Sequence, residues 1–240
     1  MFTDISEKIE NKYNRPEEYL TNHYPKNYFD YFIDIGSRGV TNPWHLNHIA
    51  ESNPKTVCYG YEPDVPYFDE LIDVVEKGNI TNVIMSDKAF GTGQKINIPY
   101  STDEFLYDKV WNTIDTLTLE DIFEEHNLDS DKNWAFKIDC EGGEYSLLTD
   151  KCKSSVEILK KASHIAFEFH TTESRKRNNF FSLHNHLPHD FSVGENWMLD
   201  TFSDTHNLYT TSKEPGLRTY VLISDKISKN KNKLFWKDLI

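Results

Sequence analysis

The sequence predicts an α/β fold: a doubly wound, mostly parallel sheet. Three observations carry this. Short apolar runs alternate with segments of helical periodicity along most of the chain. Two of the runs, Tyr31–Ile35 and Trp134–Ile138, lead into an acidic, glycine-bearing loop. The last two, 208–211 and 219–224, are separated by Lys213-Glu214-Pro215-Gly216, a turn signal. The hairpin this implies adds an antiparallel strand at one edge of the sheet.

The elements follow in order. Tyr31–Ile35 is the first strand. A helix is expected over 42–52, with Pro43 in its first turn. The second strand is 56–61. A helix over 67–77 has Phe68, Leu71, Ile72 and Val75 at helical spacing, and Gly78 ends it. The third strand is 82–85, and 95–99 is a small added strand. A short helix over 118–126 has Thr118 as its cap and Asp121 three positions on, close to a capping box. Trp134–Ile138 is the fourth strand, followed by helical stretches at 144–148 and 154–161. The fifth strand is 164–169. Stretches 180–186 and 196–204 read as helical. Three regions result: an N-terminal helical extension over 1–28, with helices at 5–13 and 16–24, one domain over 29–225, and a basic, solvated tail over 226–240. There is no internal repeat.

Composition narrows the function. The chain has 240 residues, 38% of them hydrophobic, enough for one core. No apolar run approaches the roughly 18 residues that span a bilayer, so no membrane partner is expected. The N-terminus lacks the basic-then-apolar layout of a secretory signal, which points to a cytoplasmic protein. A net charge of −13 repels phosphate backbones and argues against nucleic acid as a partner. Cys58, Cys140 and Cys152 lack metal-type spacing and are expected to be reduced and mostly buried.

Function is concentrated in two strand-to-loop transitions. Lys137-Ile138-Asp139-Cys140-Glu141-Gly142-Gly143-Glu144 puts three carboxylates behind a buried strand. Burying such charges is costly unless they are paired, hydrogen-bonded or metal-bound, so they belong to a site rather than to a core. Asp34-Ile35-Gly36-Ser37-Arg38-Gly39 offers a glycine loop after the first strand, where backbone N–H groups can approach a ligand. Glu62 ends the second strand 23 residues after Gly39, about where dinucleotide folds place the acid that takes a ribose diol. The full Gly-x-Gly-x-x-Gly fingerprint is missing. Asp34 stands two before Gly36, where its charge would repel a pyrophosphate, which disfavours NAD and favours a ligand with a ribose and a positive group.

These blocks have a familiar order. Phe32–Gly39, Tyr61-Glu62-Pro63-Asp64, Thr116-Leu117-Thr118-Leu119-Glu120-Asp121, Phe136–Glu144 and Ala166-Phe167-Glu168-Phe169-His170 together resemble the FkbM family of S-adenosylmethionine-dependent methyltransferases. The resemblance covers roughly residues 30–223. It implies the seven-stranded, Rossmann-like class I methyltransferase sheet and methyl transfer to a hydroxyl, often on a sugar or natural product. It further implies that Gly36, Ser37 and Gly39 line the methionine end of the cofactor with Asp34 nearby. Glu62 would take the ribose hydroxyls, and Ser86 and Asp87 would sit at the adenine edge. Ser37-Arg38 departs from the family pattern, leaving Arg38 either exposed or reaching an acidic acceptor.

The chemical candidates end the fourth and fifth strands: Asp139, Glu141, Glu144, Glu168 and His170. Asp139 would touch cofactor or acceptor. Glu168 and His170 share a face if the strand continues through them. A neutral histidine is a suitable proton acceptor near pH 7. Glu144 either belongs to the site or starts a helix favourably. His184, His186 and His189 read as solvated rather than metal-binding. Asp139, Glu168 and His170 are a possible Mg²⁺ or Mn²⁺ set, with a metal-free base preferred. The segment 91–117 is expected to cover the acceptor. Its Tyr100, Phe105, Tyr107 and Trp111 either stack on a sugar or pack the segment down, with Ser101, Asp103 and Asn112 as hydrogen-bonding groups. The expected activity is O-methylation of a glycan, sugar or small-metabolite hydroxyl. The alternatives are N- or C-methylation with the same cofactor, or a non-catalytic binding module.

Overall fold

A computed structural model describes residues 1–4, 24–40, 45–100, 110–170, 191–214 and 217–228. The expected helices at 5–13 and 180–186, most of that at 16–24, the three histidines at 184–189 and most of the basic tail lie outside the described residues.

The described chain runs β1 (Thr3–Asp4), β2 (Tyr31–Ile35), α1 (Leu46–Ser52), β3 (Val57–Tyr61), α2 (Val65–Lys77), β4 (Val83–Ser86), β5 (Ala89–Phe90), β6 (Lys95–Tyr100) and β7 (Val110–Leu117). It continues through α3 (Leu119–Glu125), β8 (Trp134–Ile138), two 3₁₀ turns (Gly143–Leu148 and Asp150–Cys152), α4 (Lys153–Leu159), β9 (His164–His170), α5 (Phe191–Phe202), β10 (His206–Glu214), β11 (Leu217–Ser224) and α6 (Asp225–Ser228).

The main sheet has the order β1-β10-β11-β9-β8-β2-β3-β4. Without the two-residue β1, the seven remaining strands numbered in chain order read 3-2-1-4-5-7-6. This is the dinucleotide-type order with one strand folded back into it. That strand, β11, pairs antiparallel with both β9 and β10. It therefore lies one place inside the sheet edge, not on it, because β10 takes the outer position and β11 closes the gap. Thr3 and Asp4 extend the edge by pairing parallel with Tyr209 and Thr210.

Local chemistry sets most boundaries. Pro66 falls in the first turn of α2, where its missing N–H costs nothing. Gly78 follows α2 with right-handed backbone (φ −77°), and the left-handed residue is Asn79 (φ 51°). Gly78 is thus not the special-conformation stop that its type suggests. Thr118 and Asp121 form a full capping box: Asp121 N donates to Thr118 Oγ1 at 3.2 Å, and Thr118 N donates to Asp121 Oδ2 at 2.8 Å. β7 pairs with β5 and β6 in a separate three-stranded sheet. Its β-branched Val110, Thr113, Ile114 and Thr116 favour an extended chain. The segment 91–117 is therefore partly a sheet, and 101–109 lie outside the described residues.

Period-2 alternation sorts the central strands into two layers. Ile33 and Ile35, Trp134, Phe136 and Ile138, and Ile165, Phe167 and Phe169 enter one core with α3, α4 and α5. Phe32, Cys58 and Ala135 enter the opposite core with Leu46, Ile49 and Leu71. On that second face the strands turn polar toward their C-terminal ends. Phe32 is followed by Asp34, Ala135 by Lys137, and Ala166 by Glu168 and His170. The charged groups are thus the continuation of one apolar face past the point where helices cover it.

Candidate functional site

The strand order reverses between β2 and β8, which lie side by side and parallel. Open α/β sheets bind ligands in the crevice beyond the carboxyl ends of strands at such a point. The loops there are Gly36–Gly39 and Asp139–Glu144. They touch: Asp139 N donates to Ile35 O at 2.9 Å, and a Cβ on Gly36 (φ 84°) would fall 1.8 Å from Asp139 O. Only glycine fits at 36. Gly39 also has left-handed backbone, with the His45 ring 2.7 Å from where its Cβ would be. Ser37 is buried, and its hydroxyl donates to Asp34 O at 2.8 Å.

The decisive partner of Asp34 is Lys137, directly opposite it in register. Lys137 Nζ donates to Asp34 Oδ1 and to Gly36 O, both at 3.0 Å, and lies 3.4 Å from Asp139 Oδ2. Burial pushes the Asp34 carboxyl up and Lys137 pulls it back. Asp34 therefore presents no naked charge to a pyrophosphate, and that sequence-level objection to NAD falls. The signal for Lys137 was visible: a lysine in an otherwise apolar strand, matched by an aspartate in the neighbouring one.

Glu62 is buried just beyond β3, and its Oε1 accepts from Asp64 N at 2.8 Å. Burial pushes its carboxyl up to about 8, with the Asp64 N–H opposing. Asp64 Oδ1 is buried without a hydrogen-bond partner. Arg38 is half-buried. Its guanidinium lies 4.2 Å over the Tyr67 ring and donates to the Tyr67 hydroxyl. Ser86 ends β4, half-buried, and its carbonyl accepts from Glu62 N at 3.0 Å. Asp87 follows on the loop, exposed.

Beyond β8 and β9, four carboxylates surround one imidazole. β9 does continue through His170, so Glu168 and His170 share a face. His170 Nε2 lies 3.3 Å from Glu168 Oε1, 3.5 Å from Glu141 Oε2 and 3.7 Å from Asp139 Oδ1. Its Nδ1 lies 3.1 Å from Glu144 Oε1, which also accepts from His170 N at 2.8 Å. Glu144 Oε2 accepts from Gly142 N at 2.7 Å, so this fully buried acid ties the loop to the strand. It opens a 3₁₀ turn, yet its contacts make it the clamp on His170.

Burial disfavours the charge of His170, but Glu144, with Glu168 and Glu141, outweighs burial and raises the pKa of the imidazole well above its ordinary range. Glu141 is shifted too. Burial and the carboxylates of Asp139, Glu144 and Glu168 push it up to about 7, against His170, and its side chain is 30% exposed.

No protein-family model matches this chain, and no curated protein sequence matches it. Several solved structures are similar to it. The methyltransferase domain of METTL16 is 11% identical over 87% of this chain and 64% of that domain, less than two thirds of its length, with a TM-score of 0.48. SMU.1697c from Streptococcus mutans, in complex with SAH, is 9% identical over 87% of this chain and 94% of its own, with a TM-score of 0.47. The precorrin-6y C5,15-methyltransferase of Geobacter metallireducens is 8% identical over 83% of each chain, with a TM-score of 0.42. At such identities, chemistry must be read from this chain's own side chains. Among the described residues, no helix is long and apolar enough to cross a membrane.

Proposed function

We propose that this chain is an S-adenosylmethionine-dependent O-methyltransferase of the FkbM type, acting on a hydroxyl of a sugar, glycan or small metabolite. The observation that carries the reading is the junction at the switch point. A glycine loop, a strand-end acid one strand over, and an acid cluster on the other side all lie at the carboxyl ends of neighbouring parallel strands.

The residues present fit the cofactor. Asp64 Oδ1 is buried without a donor, and Glu62 is pushed toward the neutral form by burial. A ribose diol supplies O–H donors for acids placed in this way. Gly36 lets the two loops meet backbone to backbone beside those acids. Bound there, S-adenosylmethionine supplies an electrophilic methyl group on a positively charged sulfur. An acidic cleft favours that charge.

The acceptor side belongs to Asp139, Glu168 and Glu141. Asp139 and Glu168 accept hydrogen bonds that orient a hydroxyl, and Glu141, the most exposed of the cluster, takes its proton. His170, clamped by Glu144, holds the carboxylates in place. The aromatic and polar residues of segment 91–117, together with the acidic overall charge, support a neutral polyhydroxylated acceptor over a phosphorylated one.

The test is methyl transfer from labelled S-adenosylmethionine to a panel of free sugars, glycans and hydroxylated metabolites. Transfer to one of them is expected. Glu141→Gln should slow turnover at least ~10²-fold with cofactor affinity retained, the scale of lost acid–base help. Transfer confined to proteins, nucleic acids or amines would overturn the acceptor. Near-wild-type turnover of Glu141→Gln would place the base elsewhere.

A further inference from the structure

We propose that Asp139, Glu168 and His170 form a binding site for one divalent cation of the Mn²⁺ type. One carboxylate oxygen from each acid and one ring nitrogen lie within 4.8 Å of one another. His170 Nε2 stands 3.3 Å from Glu168 and 3.7 Å from Asp139. Ligand atoms that share an ion at about 2.0–2.2 Å sit roughly 3.0–3.5 Å apart, so small carboxylate rotations complete the set.

The imidazole gives an independent reason. It is only 3% exposed, and its Nε2 faces three carboxylate oxygens at once. None is as near as the ~2.7–2.9 Å of a strong charge-assisted hydrogen bond. The other ring nitrogen is held by Glu144, which lies outside the three-residue set and is fully buried. A carboxylate behind a histidine is the usual arrangement for fixing the ring that points at a metal. Two carboxylates suit Mg²⁺ or Mn²⁺ and an imidazole suits transition ions, so Mn²⁺ satisfies both preferences. Three protein ligands leave coordination positions for an acceptor oxygen, whose proton a cation loosens, with Glu141 beside it.

The site goes beyond methyl transfer and does not rest on it, since ion binding is measured without S-adenosylmethionine or acceptor. The full chain, stripped with a chelator, is titrated with Mn²⁺, and free Mn²⁺ is followed by electron paramagnetic resonance. One ion per chain is expected. Asp139→Asn, Glu168→Gln and His170→Gln should each weaken binding at least ~10-fold, and Glu144→Gln about 10–100-fold. Asp73→Asn, on the exposed face of α2, should bind as wild type. Circular dichroism identifies variants that have lost the fold, and Asp139→Asn, the most exposed of the three ligands, is the one to score if the buried variants unfold. No Mn²⁺ binding at millimolar concentration, or equal binding by wild type and folded Asp139→Asn, overturns the site. A chain that binds Mn²⁺ in this pattern but never binds SAH refutes the methyltransferase reading and leaves this one standing.

Discussion

The two sides of the crevice bury carboxylates in different ways. Under the glycine loop, Asp34 meets Lys137 at 3.0 Å, one acid against one ammonium in strand register. Across the junction, Asp139, Glu141, Glu144 and Glu168 crowd a single imidazole. The first arrangement is a matched pair that shapes a loop. In the second, burial and the neighbouring acids, against His170, push Glu141 up to about 7, into the range useful for proton transfer. Charge that is matched builds the scaffold, and charge that is crowded is available for chemistry.

The largest expected effect breaks the matched side. Lys137→Met leaves Asp34 buried and uncompensated and should cost about 3–5 kcal/mol in urea denaturation. Adding Asp34→Asn should recover most of the loss. If the double variant is as unstable as the single, Lys137 matters for something other than charge compensation.

A second prediction concerns Glu62, whose carboxylate accepts from the Asp64 N–H on the cofactor side. Its folded carboxyl sits at about 8, above the ordinary glutamate value of 4.5. The folded state therefore binds the extra proton between those values. Its stabilising contribution is full below about 4.5 and is lost as pH rises toward 8. Glu62→Gln should accordingly stabilise the ligand-free protein by roughly 2–4 kcal/mol at pH 9, and by little at pH 4.5. Thermal unfolding at the two pH values checks this. An equal effect at both would show that burial does not act on its charge.

How far the sequence foretold this varies by region. β2 and β8 were legible to the residue, because each reads as an apolar run, broken only by Asp34 or Lys137, between polar loops. The Thr118–Asp121 cap was equally legible, since its spacing is fixed by local geometry. Lys137 was not used, although it lies inside the quoted motif, because its meaning depends on a partner about a hundred residues away. The position of β11 inside the sheet was missed for the same reason: a hairpin signal gives pairing within the hairpin but not which neighbour it docks against. The contact of Glu144 with His170 was not legible, because a glutamate at a helix start has a sufficient local explanation and so hides a long-range contact.

The central claim is that the crevice at the β2–β8 junction holds S-adenosylmethionine through the acid after β3. Isothermal calorimetry with SAH tests it most directly. The account predicts one SAH bound per chain, no tight binding of NAD, and an affinity weakened by about 1–3 kcal/mol in Glu62→Ala, the scale of a buried hydrogen-bonding group left without its partner. Tight NAD binding, no SAH binding, or a Glu62→Ala variant with unchanged affinity would contradict it.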